Sequence, residues 1–368
     1  MGRVKLRALM SSPSEKLLAA LDAYVDPLIG RGLGAAGAVK SAVISRSGAT
    51  VELELGFPAA GYRETLIRNV RQAVRDATGL DADVQVGWTI QSQAVQRNLK
   101  PLPEIRNIIA VASGKGGVGK STVAVNLALA LKADGAKVGI LDADIYGPSQ
   151  PLMLGSKDRP TSPDGKHMHP IVAHGLQVMS IGFLIDDEQP MIWRGPMVTQ
   201  ALSQMLAETR WTDLDYLVVD LPPGTGDIHL SMSQRMPVSG AIIVTTPQDI
   251  ALLDARKGLQ MFRKVEVPVL GVVENMATHV CTRCGHEEAI FGEGGGARLA
   301  EQYAVEMLGS LPLDVRIRAQ ADSGNPTVAA DPESELSLRY RDIARRAVAR
   351  LAYGLPAGSF PNIEITDD

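Results

Sequence analysis

The chain has 368 residues, a formal net charge of −4, 45% hydrophobic residues and two cysteines. That length allows a large core and more than one domain. The near-balanced charge gives no overall drive toward nucleic acid or anionic membrane, and two cysteines exclude a disulfide framework. No apolar run reaches the length of a membrane span. Met1-Gly2-Arg3-Val4-Lys5 lacks the following apolar block of a secretion signal, so a cytoplasmic protein without stable membrane insertion is expected.

The first elements predict a small α+β domain over residues 1–90. Ser12 as cap, Pro13 in the first turn and Glu15 reaching back mark a helix start. Leu17, Leu18, Leu21 and Val25 are expected to line its buried face. Val39–Ile44 and Val51–Leu55 read as strands joined at Ser47-Gly48. Leu66, Ile67, Val70 and Val74 mark a second helix, and Val84, Val86 and Trp88 a third strand, giving the order αββαβ. Residues 91–106 are polar, hold Pro101 and Pro103, lack periodicity and read as a linker.

From Asn107 the pattern changes. Apolar strands are expected at Ile108–Ala112, Val138–Leu141, Leu176–Ser180, Leu217–Asp220, Ala241–Thr245, Val269–Val273 and Met307–Gly309, with helical stretches between most of them. Such alternation predicts an α/β domain over 107–353, a mostly parallel, doubly wound sheet covered on both faces. Ligands in such sheets bind at the carboxyl ends of the strands. The glycine loop, Asp142, Asp220 and Asn275 all fall there. Residues 354–368 read as a disordered tail.

The first of these strands breaks into Gly114-Lys115-Gly116-Gly117-Val118-Gly119-Lys120-Ser121-Thr122 and then a helix. Gly114, Gly119, Lys120 and Ser121 meet G-x-x-x-x-G-K-[ST], a loop whose backbone N–H groups cradle phosphates. Lys120 can reach the β- and γ-phosphates and Ser121 can offer its hydroxyl to Mg²⁺. Gly114, Gly116 and Gly119 with Asp142 also satisfy the dinucleotide fingerprint. Lys120-Ser121 decides for a nucleoside triphosphate, since a dinucleotide pyrophosphate needs neither. The second lysine, Lys115, is directed elsewhere or belongs to a neighbouring subunit's site.

Asp142 and Asp144 follow the second strand, and alternate residues share a face. One can help organise Mg²⁺ and the other orient an attacking water. Asp220, ending the Tyr216–Asp220 strand, suits Mg²⁺ from the opposite side. It opens Asp220-Leu221-Pro222-Pro223-Gly224-Thr225-Gly226-Asp227, a rigid then flexible loop of the kind that takes two positions. Cys281-Thr282-Arg283-Cys284 can grip one metal or one edge of a cluster. Three readings stay open: a redox pair, a one-chain zinc site completed by His279 and His286, or four thiolates supplied by a two-fold dimer. His167, His169 and His174 read as loop or hairpin residues. Glu333–Tyr353 is amphipathic through Leu336, Tyr340, Ile343, Ala347 and Leu351, and is expected to pack on the sheet.

The loop Gly114–Thr122 resembles the deviant P-loop of the dimerising ATPases that include MinD, ParA, the arsenite-pump ATPase and nitrogenase iron protein. With Asp142-x-Asp144-x-x-Gly147-Pro148-Ser149, Trp193-Arg194-Gly195-Pro196, Asp220–Asp227 and Cys281-x-x-Cys284, the resemblance narrows to Mrp/ApbC-type iron–sulfur cluster carrier ATPases. It implies a P-loop NTPase sheet, with Lys115 crossing a dimer interface to the partner's nucleotide, and Asp144 as the switch I residue that positions water. Asp220–Asp227 would be switch II, and Asn275 and Pro312 would read adenine. Cys281 and Cys284 would hold a dimer-bridging iron–sulfur cluster, expected as [4Fe–4S]. ATP, Mg²⁺, apo iron–sulfur proteins and the assembly machinery are the implied cofactors and partners, and slow ATP hydrolysis coupled to transfer the implied activity. The first domain is similar to the small iron–sulfur assembly domain often fused ahead of this class. Phe57-Pro58-Ala59-Ala60-Gly61-Tyr62 lacks the cysteine common in that loop. A positioning ATPase switch and a zinc-stabilised dimer are the alternatives.

Overall fold

In the computed structural model the described residues are 13–45, 48–93, 95–96, 99–185, 195–224, 231–232, 234–281 and 283–354. The expected cap Ser12, the turn residue Ser47, Trp193-Arg194, Thr225–Asp227, Thr282 and the tail 355–368 lie outside them. The chain divides into two units, Met1–Ile90 and Gln91–Asp368.

The first unit follows from its alternating strands. It runs helix Pro13–Ala23, β1 (Val39–Ser45), β2 (Gly48–Leu55), helix Arg63–Thr78 and β3 (Ala82–Trp88). β1 pairs antiparallel with β2, and β2 parallel with β3, in the register Leu55 opposite Trp88. Val51, Leu53 and Leu55, every second residue, are buried, as are Leu66, Ile67, Val70 and Val74 of the longer helix. Gly79 in the left-handed conformation ends that helix, its N–H bonded to the Arg75 carbonyl. Two expected core residues are corrected. Leu17 and Leu21 are buried, but Leu18 is 51% and Val25 59% exposed. Leu18 sits about 100° around the helix from Leu17, and Val25 lies beyond the helix end, bridged to Gly32.

The second unit carries β4 (Ile105–Ser113), β5 (Val138–Asp142), β6 (Ile171–Ala173), β7 (Leu176–Ser180), β8 (Leu214–Asp220), β9 (Gly240–Thr245), β10 (Val269–Glu274), the short pair β11 (His279–Val280) and β12 (Glu287–Glu288), and β13 (Met307–Ser310). The main sheet has the order β13-β10-β9-β4-β8-β5-β7-β6. All its pairs are parallel except β6 with β7. The fold class is therefore the expected one, a mostly parallel α/β sheet with a small α/β unit ahead of it. β4 begins two residues inside the expected linker, because Ile105 is buried and pairs with Leu214. β6 is too short to show a period; it turns into β7 through His174 and Gly175, both at positive φ.

Alternation along β4 assigns its two faces. Ile108, Ala110 and Ala112 join a core with Val198 and Leu202 of the helix Gly195–Glu208 and Leu259 of the helix Asp249–Lys264. Ile109 and Val111 meet Leu127 and Leu131 of the helix Lys120–Ala133 and Ala344 and Val348 of the helix Glu335–Tyr353. All five apolar residues expected on that last helix are buried. Among the described residues no helix is long and apolar enough to cross a membrane.

Asp134, just beyond the helix Lys120–Ala133, accepts from Arg341 at 3.1 Å and from Arg345, with all three residues buried. Removing one partner of a buried pair strands the other charge. Asp134→Ala is expected to cost about 3–5 kcal/mol of unfolding free energy, read as a fall in the urea midpoint of the full chain.

Candidate functional site

Strand register brings the expected residues to one edge. Val111 of β4 and Asp142 of β5 both pair with Asp220 of β8. The glycine loop, the Asp142–Gln150 loop and the Asp220–Gly224 loop therefore leave the sheet side by side. Backbone bonds tie them further: Ala143 N–H to the Asp220 carbonyl at 2.9 Å, and Gly224 N–H to the Ser113 carbonyl at 3.0 Å.

The loop is shaped by close approach and by backbone sign. Gly117 and Gly119 have φ of +81° and +80°, and Gly119 caps the helix Lys120–Ala133. A Cβ on Gly114 would fall 2.2 Å from the Asp254 backbone, and one on Gly119 2.2 Å from Asn275 Nδ2. Lys115 is half-buried, and its ammonium makes no ion pair with any described residue. Lys120 is buried; its ammonium bonds Asp220 Oδ1, lies 3.1 Å from Ser121 Oγ and stands 4.0 Å from Asp144 Oδ2.

Three buried carboxylates thus surround one ammonium. Burial raises the pKa of Asp142 to about 7, with repulsion from Asp220 adding to it. Burial likewise raises Asp144, while Lys120 opposes the shift. Asp142 spends its oxygens on its own loop: Oδ2 accepts from Ser149 N–H, Gln150 N–H and Ser180 Oγ, each at 3.0 Å, and Oδ1 from Asp144 N–H at 3.2 Å. Asp220 Oδ2 accepts from Gln150 Nε2 at 2.9 Å. An excess of buried negative charge, with a serine hydroxyl among its oxygens, fits a hard divalent cation. Ser121 and Asp220 are the residues that could hold it; Asp142, also expected to organise Mg²⁺, has both oxygens engaged by protein donors and shapes the loop beside them.

Asn275 and Pro312 are also brought together. Leu311 N–H bonds the Glu274 carbonyl at 2.9 Å and Ala277 N–H the Leu311 carbonyl at 2.9 Å. Asn275 Nδ2 donates to the Val118 carbonyl at 2.8 Å, so this side chain also braces the glycine loop. Four residues beyond Asn275 the chain enters the β11–β12 hairpin bearing Cys281 and Cys284. Both cysteines are free, Cys284 exposed and Cys281 partly so. Backbone N–H groups of Arg283 and Cys284, then the Cys284 thiol, hold the Cys281 sulfur below the usual thiol range. His279 Nδ1 lies 3.0 Å from the Leu313 carbonyl. Among the described residues no three His, Cys, Asp or Glu side chains are placed to share a metal. The one-chain zinc arrangement with His279 and His286 is therefore not assembled, and neither is a site at His167, His169 and His174. His167 faces Asp164 and His174 the Gly324 carbonyl.

Residues 104–348 match the family described as NUBPL iron-transfer P-loop NTPase, and residues 14–88 the family described as iron-sulfur cluster assembly protein. An iron-sulfur cluster carrier protein of Escherichia coli is 56% identical over 303 residues, 82% of this chain and 82% of that one. The chain belongs to the iron–sulfur cluster carrier family of P-loop NTPases. A nucleotide-binding protein of Archaeoglobus fulgidus, solved in complex with ADP, is 38% identical with a TM-score of 0.56, over 63% of this chain and 91% of its own. The MinD cell division ATPase of Pyrococcus furiosus, at 23% identity and a TM-score of 0.51 over 67% of this chain and 99% of its own, shares the fold.

Within this carrier-family chain, sequence reasoning missed one residue and one contact of the site. Gln150, which links Asp220 to the Ser121 carbonyl at 3.1 Å, sits beside the Asp142 motif and carries no pattern of its own. The bracing of Val118 by Asn275 joins positions too far apart in sequence to show a spacing. In the first unit, the loop that lacks a cysteine is anchored by buried residues on either side of the exposed Ala60 and Gly61. Phe57 and Ala59 are buried, and the buried Tyr62 donates its hydroxyl to Asp26 at 2.7 Å.

The two positive-φ glycines differ in a way that can be measured. A Cβ on Gly117 meets nothing within 4 Å, so Gly117→Ala should cost only the left-handed strain of about 1–2 kcal/mol. Gly119→Ala adds overlap with Asn275 and is expected to lower the melting temperature further and to weaken ADP binding more, read by thermal unfolding and titration of a fluorescent ADP.

Proposed function

We propose that this chain is an ATP-binding and ATP-hydrolysing carrier that holds an iron–sulfur cluster at Cys281 and Cys284, shared between two copies, and hands it to apoproteins. The observation that carries the reading is the hairpin: two free thiols at its tip, one exposed and one partly so, with no third ligand from the described residues of the same chain. A cluster held by four thiolates then needs a second copy of the pair. Four sulfurs suit [4Fe–4S]. An exposed tip lets an acceptor's thiolates approach the same cluster.

In the nucleotide half, Lys120 and the backbone from Gly114 to Thr122 bind the triphosphate, with Lys120 exchanging Asp220 for phosphate oxygens. Lys115, half-buried and without an ion pair among the described residues, reaches the partner's nucleotide. Ser121 and Asp220 hold Mg²⁺, which supplies electrostatic stabilisation of the phosphate oxygens. Asp144, at the edge of that charge cluster 4.0 Å from the Lys120 ammonium, orients the attacking water. Asn275 and Pro312 flank the adenine. Apo iron–sulfur proteins and the assembly machinery are the partners, in the cytoplasm. The positioning-ATPase alternative needs a free amphipathic anchor, and the helix Glu335–Tyr353 buries its apolar side against the sheet.

Anaerobic reconstitution with iron and sulfide tests the reading. The full chain should gain a visible absorption band at one cluster per dimer, and both Cys281→Ser and Cys284→Ser should lose it. Colourless protein retaining zinc would replace the carrier with a zinc-stabilised dimer. Lys120→Ala is expected to lose ATP hydrolysis while keeping the band; a folded Lys120→Ala chain without the band would show that the two roles are not separate.

A further inference from the structure

Gln150 is fully buried at the point where three parts of the nucleotide site meet. Its Nε2 donates to the Ser121 carbonyl at 3.1 Å and to Asp220 Oδ2 at 2.9 Å. Its backbone N–H donates to Asp142 Oδ2 at 3.0 Å. One residue therefore joins the helix that follows the glycine loop, the end of β8 and the end of β5. Its remaining polar atom, Oε1, is buried and has no hydrogen-bond partner among the described residues. The hydroxyl of the preceding Ser149 is in the same position.

A bridge between Ser121 and Asp220 needs only the carboxamide nitrogen. The oxygen is then a buried acceptor with nothing to accept, which native interiors rarely tolerate without a function or a bound partner. The neighbours fix what that partner is. Three carboxylates and one ammonium gather around this residue, so a cation or its water is the favoured partner of the oxygen. With Nε2 on Asp220 Oδ2, the other oxygen, Oδ1, is the one turned toward Lys120. Lys120 in turn lies 3.1 Å from the Ser121 hydroxyl. Magnesium keeps several of its waters when bound by few protein ligands, and those waters are strong donors.

We propose that Gln150 is a positioning residue for the divalent cation of the nucleotide site, its nitrogen fixing which oxygen of Asp220 is presented and its oxygen accepting from a cation-bound water. The inference rests on the reading that Ser121 and Asp220 hold Mg²⁺. Partners that orient ligands from behind set metal affinity by roughly 10- to 100-fold.

The test is the ratio of ADP affinities with and without Mg²⁺, measured on the full chain with a fluorescent ADP analogue, beside thermal unfolding. Gln150→Met keeps the volume and removes both polar atoms; its ratio should fall by roughly 10- to 100-fold. Gln150→Glu places a carboxylate beside Asp220, and the cation relieves the repulsion, so its ratio should rise above that of the unmodified chain. A merely structural glutamine would lower the melting temperature in both variants and leave the ratio alone. An unmoved ratio in either folded variant overturns the proposal; if one fails to fold, the other decides. An unmodified chain that binds ADP equally with and without Mg²⁺ would instead overturn the magnesium reading beneath it.

Discussion

The site depends on holding like charges close together out of water. Asp142, Asp144 and Asp220 sit at the ends of two adjacent parallel strands and the loop after one of them, with a single buried lysine among them. Left to themselves such groups would repel or take up protons, and the raised pKa values of Asp142 and Asp144 record that tendency. The fold meets the cost with backbone N–H donors to Asp142 and with Lys120 on Asp220. The rigid parallel register supplies the geometry; the excess negative charge favours a cation, while the glycine-loop N–H groups and Lys120 suit a phosphate chain. Loosening the register would disperse the charge and remove both.

A second constraint connects this pocket to the cysteine hairpin. From Glu274 onward the chain leaves β10 bonded to the Leu311–Leu313 segment at Leu311 N–H, Ala277 N–H and Leu313 N–H. Asn275, bracing Val118, lies at one end of that stretch and His279, against the Leu313 carbonyl, at the other. Met276 between them holds a positive φ of 57°, an uncommon conformation for a residue with a side chain. The segment that braces the phosphate loop thus leads within a few residues to the hairpin that presents the thiols.

Much of this was legible in the sequence because it is local. The glycine loop, the Asp142 and Asp220 strand ends and the cysteine pair each declare themselves within nine residues or fewer, and the apolar strands of the sheet are near-continuous runs. The failures are of two kinds. Leu18 and Val25 satisfied a helical pattern, yet the axis of the first helix points Leu17 and Leu21 inward and leaves the others in water. β6 is three residues long and gains its place only by pairing with β7. Gln150 and the Asn275 brace belong to tertiary structure, where a residue's role is set by partners 29, 70 or 157 positions away. No spacing within the chain could reveal them.

The two halves of the second unit meet opposite physical demands. Phosphate chemistry is strongest where water is excluded, because charge interactions grow as the dielectric falls, and Lys120, Asp142 and Asp220 are accordingly buried. Transfer of a cluster demands the reverse, since an incoming thiolate must reach the metal while the outgoing one leaves. Cys284 is exposed and Cys281 partly so, on a two-residue β-ladder that adds little core of its own. A hairpin that small holds its two thiols in place by backbone N–H bonds to one sulfur and by its anchorage at Leu313. The thiols therefore remain accessible on the hairpin while the charge cluster stays buried at the strand ends.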